Sequence, residues 1–419
     1  MLALINILFF SLLLLASLFS IYFFQNKRFL SSAFCVALFS KIILFYLLES
    51  GLKYTFVLDS LKYEMDAWNL MKAQVSNTEY ILEAFERAEY FNPFTQLLVK
   101  VFSLFGRAPQ IVTLINIFLS FGIYFICLKI YALFDRKNPQ KLNDKSAFFL
   151  ALVLLFYPSL NVWSVTNTKD PAILFFSVLA LYLFFEAKNI FTEKSRWRGL
   201  IIFMLSCFSF YVSNLFRPYI LPIFFAGISL GCIVHLFNKI LTGRTIGFSL
   251  IGLAVTSLYL YQLFQPQQFA DVSNTIYKIR SGFLNENWQD DISKSAFLVN
   301  YSFASTIDYL FFIPQALSYY ILGPFPWQIH SLAESLGLVE VIMVLALGKY
   351  FFRGLKLLSH KHIFEVNILL STLFVFAISQ SMTISNMGTI FRHRTFSILI
   401  YIIIAAGGFK FDQKEFKSS

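Results

Sequence analysis

An acid and a tyrosine in the stretch Phe56–Leu70 have the types and spacing to act on a hydroxyl group. Asp59, Tyr63 and Ala67 recur every four residues, so in a helix they would lie along one side. A carboxylate held at the mouth of a membrane bundle can serve as a general base. The same stretch also carries Asp66, and either aspartate could instead be an ordinary solvated loop residue. The stretch is therefore a candidate catalytic segment.

A second acid stands at the short turn Asn167–Pro171, which separates two apolar runs. Proline suits the first turn of a helix, so Pro171 predicts a helix start, and Asp170 before it could cap that helix. In this interpretation Lys169 only extends its ammonium to the membrane surface. The alternative, which we favour, is that Asp170 faces the same outer cavity as Asp59.

Three arginines follow at later turns. Arg217 precedes Pro218 at the end of an apolar run, where a guanidinium could bind a phosphate through paired hydrogen bonds or simply reach lipid headgroups. Arg392 and Arg394 stand in the segment Asn386–Arg394, close to the start of the last apolar run. These residue types are suited to an anionic ligand such as a lipid diphosphate.

Long apolar segments must position these residues. Of the 419 residues, 58% are hydrophobic and 14% are charged, whereas a soluble domain is about half apolar and about a quarter charged. Runs long enough to cross a bilayer occur at 3–24, 29–49, 110–134, 146–166, 171–188, 198–215, 218–238, 245–264, 333–352, 363–383 and 391–409. We predict an all-α polytopic membrane protein, one integral membrane domain over 1–419, with about 11 spans (roughly 11–13).

Lysine and arginine are concentrated in alternate short loops, and one orientation makes all of these loops cytoplasmic. This bias explains the net charge of +11 without a nucleic-acid partner. The large loops 50–109 and 265–332 then lie outside. Arg392 and Arg394 run against the trend, so we predict that they bind an anionic ligand rather than only lipid headgroups. Glu340, inside the ninth span, should pair with an outer basic residue.

Shorter apolar stretches at 93–106 and 304–325 predict helices that lie at the membrane surface or re-enter it. The four cysteines fall inside apolar runs, without metal-ligand spacing or a disulfide framework. They are Cys35, Cys127, Cys207 and Cys232. No phosphate loop, hydrolase triad order or dinucleotide fingerprint occurs in the sequence. We predict no definite cofactor and leave a divalent metal open.

The order of these motifs resembles that of the GT-C membrane glycosyltransferases, which include the protein O-mannosyltransferases and the lipid A aminoarabinose transferases. Asp59-x-x-x-Tyr63-x-x-x-Ala67 is similar to the first-loop signature of that family. Further segments similar to family motifs follow in the same order: Asn92-Pro93-Phe94, Lys169-Asp170-Pro171, Arg217-Pro218, and Gly388-Thr389 with Arg392 and Arg394. The chain departs from the family pattern at Ser60, where members often have glutamate, and at Asn92.

The resemblance implies that a sugar is transferred from a polyprenyl-phosphate donor to an acceptor hydroxyl, with inversion at the anomeric carbon. Asp59 would be the general base, and Asp170 and Tyr63 would position the acceptor or the base. The donor phosphate would be held by basic residues, namely Lys169, Arg217, Arg392 and Arg394. The acceptor would be a glycan, a lipid or a protein at the extracytoplasmic face of a bacterial plasma membrane. Asp66 has no family counterpart and is interpreted as solvated.

Two other functions suit a chain of this kind. An O-antigen-type polysaccharide polymerase would also use outer arginines and a lipid diphosphate, but would rely on large outer loops rather than on an early acid. A transporter or flippase of lipid-linked sugars would place charges near the bilayer midplane and show internal repeats. Nearly all charges of this chain fall near the ends of the apolar runs. The sequence therefore favours the glycosyltransferase.

Overall fold

The structure, a computed structural model, describes residues 28–48, 58–76, 93–134, 145–193, 196–238, 297, 306–329 and 332–415. Regular structure in these ranges is helical, without a β-strand. The chain divides into two compact units, one of Met1–Ala132 with Lys137–Pro218 and the other of Leu133–Arg136 with Tyr219–Ser419. Candidate spans occur in both units, and the predicted single membrane domain stays a prediction.

Within the described ranges, eight helices build the first unit. They are α1 (Arg28–Leu47), α2 (Leu58–Ser76), α3 (Pro93–Phe105), α4 (Pro109–Leu133), α5 (Lys145–Phe156), α6 (Pro158–Ser164), α7 (Asp170–Glu193) and α8 (Arg196–Phe216). Three of them begin at a proline, whose missing N–H costs nothing at that position. Helices α7 and α8 form a hairpin joined by buried serines: Ser177 and Ser213 are 2.9 Å apart at their hydroxyls, and Ser206 donates to the Ala180 carbonyl at 2.7 Å.

Helices α2 and α3 pack on each other through small and aromatic residues. Ala67 and Leu70 of α2 bury against Phe94 and Leu98 of α3. The other side of α3 is open, and Leu104 is 77% exposed. The helix predicted from the spacing of Asp59, Tyr63 and Ala67 is therefore present, as is the short helix predicted at 93–106.

The second unit contains six described helices and one short 3-10 turn. They are α9 (Ile220–Asn238), α10 (Thr306–Leu322), the turn Pro326–Gln328, α11 (Leu332–Lys361), α12 (Ile363–Thr383), α13 (Met387–His393) and α14 (Thr395–Glu415). Helix α9 approaches α12 closely at Gly227 and Gly231, where an added Cβ would lie 2.7 Å from the Cα atoms of Thr372 and Ile368. Glycine is needed at both positions, because any side chain would force the helices apart.

Six helices of the described residues are long and apolar enough to cross a membrane, or eight if each of two bent pairs is one span. The bent pairs are α5 with α6, at 53°, and α13 with α14, at 46°. These eight correspond to eight of the predicted runs, as expected of a multi-pass helical membrane protein. The run 29–49 forms only a shorter apolar helix, and the runs 3–24 and 245–264 lie outside the described residues. Within the described part of the chain, the predicted count of 11 spans is thus not reached.

Candidate functional site

The turn between α6 and α7, residues 165–169, is held in place by side chains of α4. Asn116 donates two hydrogen bonds, at 2.7 and 3.0 Å, to the backbone carbonyls of the residues before and after Asn167. Thr113 donates to the side-chain oxygen of Asn167 at 2.9 Å. Both donors are almost fully buried. Because buried backbone groups need hydrogen-bond partners, these contacts are what allows an irregular turn to lie inside the unit.

The first turn of α2 contacts the same 165–169 turn. The Ser60 hydroxyl accepts a hydrogen bond from the Asn167 N–H at 3.0 Å. The Lys169 ammonium lies 5.8 Å from the centre of the Tyr63 ring, which is within reach of a cation–π attraction. Asp59 precedes Ser60 and belongs to α2, and its side chain lies outside the described atoms. The two predicted acidic segments therefore meet through their immediate neighbours.

Asp170 and Arg217 form a buried ion pair, with Nη2 of the arginine 2.5 Å from Oδ1 of the aspartate. Asp170 is the first residue of α7, which therefore begins one residue before the predicted start at Pro171, and Arg217 directly follows α8. The residues are 3% and 8% exposed. An anion at a helix N-terminus and a cation at a helix C-terminus also suit the two helix dipoles. The sequence assigned these residues separate roles, and their pairing was not predicted.

The described charged side chains at the 165–169 turn and the start of α7 include Lys169, Asp170 and Arg217. Lys169 is half-buried, and the ion pair of Asp170 with Arg217 is neutral, so these three residues carry a net charge of +1. A half-buried ammonium against an aromatic ring can stabilise negative charge more strongly than one in bulk water. A carboxylate at Asp59 would add a proton acceptor at the start of α2. The arrangement suits chemistry in which a proton is removed while an anion is stabilised.

Asp66, on the same helix as Asp59, is half-buried rather than fully solvated. Burial raises the pKa of its carboxyl group, and the charge of Lys62 opposes that shift. The carboxyl group of Asp66 therefore holds its proton more tightly than a solvated carboxyl group does. It is a suitable reference residue for Asp59, because both are aspartates of α2.

In the second unit, Arg394 is buried, and both of its Nη atoms donate to internal partners. Its guanidinium donates to Glu340 at 3.2 Å, to the Gly337 carbonyl at 3.0 Å and to the Gly323 carbonyl. The prediction that Glu340 pairs with a basic residue is confirmed, and Arg394 is its partner. With its side chain 2% exposed, Arg394 connects three parts of the unit. These contacts give Arg394 a structural role. Because its guanidinium is buried and bonded inside the unit, the predicted contact with a ligand phosphate is not favoured.

The neighbours of Arg394 are less enclosed. Arg392 is half-buried. His393 is also half-buried, and its Nδ1 is hydrogen-bonded to the Gln380 side chain and lies 3.3 Å from the Tyr219 hydroxyl. The phosphate-binding role predicted for Arg392 stays a prediction. Of the predicted site residues of the first unit, the structure brings Tyr63 to Lys169 and Asp170 to Arg217. Arg392 and Arg394 belong to the second unit.

Three charged residues of the first unit were missed by the sequence reasoning. Glu64, in the first half of α2, is buried and accepts a hydrogen bond from Arg107 at 3.0 Å. Arg107 follows Gly106, whose φ of 73° is readily adopted by glycine. Lys41 lies inside the apolar helix α1 and is fully buried. A lone lysine within a hydrophobic run was the signal available for it, because such residues are rare and costly in membrane helices.

The described residues contain no group of three or more His, Cys, Asp or Glu side chains that could hold a metal ion. All four cysteines are free thiols; Cys127 and Cys232 are buried and the other two are half-buried. The fold and the polar turn together define a helical multi-pass membrane protein with a candidate site at the start of α2. No family model matches the chain, and neither a curated protein nor a solved structure does.

Proposed function

We propose that this protein is a membrane glycosyltransferase that moves a sugar from a polyprenyl-phosphate donor to an acceptor hydroxyl at the extracytoplasmic face. The observation that carries the proposal is the contact of the first turn of α2 with the 165–169 turn, through Ser60 and Asn167 at 3.0 Å. This contact joins a segment that contains Asp59 to one that leads into Lys169 and Asp170. The resemblance to the GT-C glycosyltransferases involves the same two segments.

Each residue of the first unit then has a chemical role. Asp59 accepts the proton of the acceptor hydroxyl as the oxygen attacks the anomeric carbon. Lys169, beside Tyr63, stabilises the negative charge that grows on the departing lipid phosphate. Asp170 and Arg217 neutralise each other, so their main contribution is to fix the start of α7 next to the reacting groups. In this proposal Asp59, from α2, removes the proton, and Lys169, from the 165–169 turn, stabilises the negative charge.

Sugar transfer by purified protein tests the proposal, with radiolabelled polyprenyl-phosphate sugars as donors and release of the lipid phosphate as the measurement. Asp59→Asn should lower the rate by about 10²- to 10⁴-fold, the usual contribution of a general base. Asp66→Asn is the matched control, since it makes the same change on the same helix and should leave the rate within about twofold. Normal transfer by the Asp59 variant would refute the role of that residue.

A transporter or flippase of lipid-linked sugars is the second candidate, because one observation favours it. Lys41 is a fully buried lysine inside the apolar helix α1, and a buried ionisable residue in an apolar helix of a membrane protein often marks a transport path. The two functions separate in sealed vesicles that contain the protein. A glycosyltransferase releases lipid phosphate and consumes donor, whereas a transporter moves intact donor across the bilayer without releasing it.

A further inference from the structure

Lys41 is a buried cation in the first unit, and its surroundings are unusual. Its side chain is 0% exposed, although lysine is almost never fully buried without a charged partner. The ammonium donates to the Ser164 hydroxyl at 2.6 Å and lies 3.5 Å from the Leu160 carbonyl. Among the described residues, no carboxylate lies within 4.0 Å of it. The ammonium also lies 5.8 Å from the centre of the Phe121 ring and 5.6 Å from that of the Tyr124 ring.

The two oxygen atoms that Lys41 contacts belong to α6, and one of them is the hydroxyl oxygen of its last residue, Ser164. Leu160 and Ser164 are separated by one helical turn, and α6 ends at Ser164. The last carbonyls of a helix have no partner within it and form the negative end of its dipole, so a cation is stabilised there. The two aromatic faces add cation–π attraction. Lys41 is thus placed to anchor the end of α6 to α1.

The 165–169 turn begins directly after Ser164, the residue to which Lys41 donates its hydrogen bond. Asn116 and Ser60 hold the turn from α4 and α2, and both act on residues 166–168. The residue that connects α6 to the turn, Val165, follows Ser164 directly. We infer that Lys41 is a positioning residue, which fixes the C-terminal end of α6 and thereby the alignment of Lys169 and Asp170. This inference rests on the proposed function for its catalytic consequence, but not for its structural one.

A purely space-filling residue would not need a charge at this place. Replacing a buried charge by an apolar side chain of similar volume is often neutral or stabilising for the fold. Methionine has an unbranched side chain similar in length to that of lysine, and it adapts to irregular surroundings. Lys41→Met therefore separates packing from positioning, because it keeps the volume and removes the hydrogen bond and the charge.

The test is amide hydrogen exchange of the full chain in lipid nanodiscs, followed by mass spectrometry. In Lys41→Met, the amides of residues 165–169 should exchange about 10- to 100-fold faster, the range expected for loss of a hydrogen bond to a charged group. The melting temperature should stay unchanged or rise. Sugar transfer, where wild type shows it, should lose about 10- to 100-fold in kcat with little change in KM, because misplaced groups slow the chemical step.

Two further variants make the result decisive. Ser164→Ala removes the acceptor and leaves the lysine, and it should also speed exchange in the 165–169 turn; it replaces Lys41→Met if that variant does not fold. Ser206→Ala removes a buried serine-to-carbonyl bond of the same unit, at 2.7 Å, and should leave the turn unchanged. Unchanged exchange in the turn, or faster exchange spread evenly over α7 and α8, overturns the inference. Exchange needs no substrate, so absence of sugar transfer by wild type refutes only the proposed function.

Discussion

The ion pair of Asp170 with Arg217 should be strongly coupled, and replacing one partner should cost far more than replacing both. Both side chains are less than a tenth exposed, and their charged atoms are 2.5 Å apart. Removing one partner from a buried pair costs about 3–5 kcal/mol, because the other charge stays buried. The positive end of α7 offsets about 1 kcal/mol of that for Asp170. We therefore expect a loss of about 3 kcal/mol for Arg217→Met.

The double variant, Asp170→Asn with Arg217→Met, removes both charges and should lose only about 1 kcal/mol. The double variant should therefore be about 2 kcal/mol more stable than Arg217→Met alone. Thermal unfolding in detergent is the assay. In a unit of this size, 1 kcal/mol shifts the melting temperature by about 2–4 °C. The single variant should therefore melt about 6–12 °C lower and the double variant about 2–4 °C lower.

The ion pair of Glu64 with Arg107 is an internal control, because its coupling energy can be measured by the same unfolding assay. Its atoms are 3.0 Å apart, but the Arg107 side chain is 43% exposed. Solvent screens such a pair, so its coupling should stay below about 1 kcal/mol. If the double variant at Asp170 and Arg217 is as unstable as the sum of the two single variants, the two charges are not coupled. That additivity would refute the electrostatic reasoning.

Two other predictions concern packing and pH. Gly227→Ala should destabilise the second unit by about 1–3 kcal/mol, because the new Cβ would lie 2.7 Å from the Cα of Thr372. Gly348→Ala should be neutral or stabilising, because its Cβ would lie 3.6 Å from the Tyr401 hydroxyl. Thermal unfolding of the two variants tests both expectations. Because burial raises the pKa of Asp66, the folded chain binds its proton more tightly than the unfolded chain, and stability falls as pH rises through that pKa. Asp66→Asn should remove this fall in melting temperature between acidic and neutral pH, and an unaltered pH profile would contradict it.

A helix was predictable where the residues of its own segment, such as an apolar run or a proline near its start, indicate it. Apolar runs of spanning length predicted α4 and α7, because hydropathy depends on neighbouring residues alone. The start of α7 was also predictable, since proline and a capping acid act locally. The bend between α5 and α6 coincides with Pro158, yet the sequence was interpreted as one straight span. Proline has no N–H to continue the hydrogen-bond ladder, which is the physical reason for a break there.

The candidate site was predictable only in part, because pairing depends on which helix ends meet. Asp170 and Arg217 were each singled out, but their contact requires the α7–α8 hairpin to bring residues 47 positions apart together. Arg394 was interpreted as a ligand-binding residue from its charge and topology. Its partner Glu340 was recognised as needing a base, and composition could not select among the available arginines. Lys41 was overlooked because one lysine hardly changes the hydropathy of a run.

The buried contacts of Arg394 also constrain the order in which the second unit can be completed. Glu340 is synthesised 54 residues before Arg394, inside a helix that is otherwise apolar enough to enter the bilayer. Until the last helices are made, Arg394 is not available to the carboxyl group of Glu340, and an ionisable group is costly in lipid. Arg394 then pairs with Glu340 and donates to the carbonyls of Gly323 and Gly337. Arg394, which is synthesised late, thus joins Gly323, Gly337 and Glu340, which are synthesised earlier.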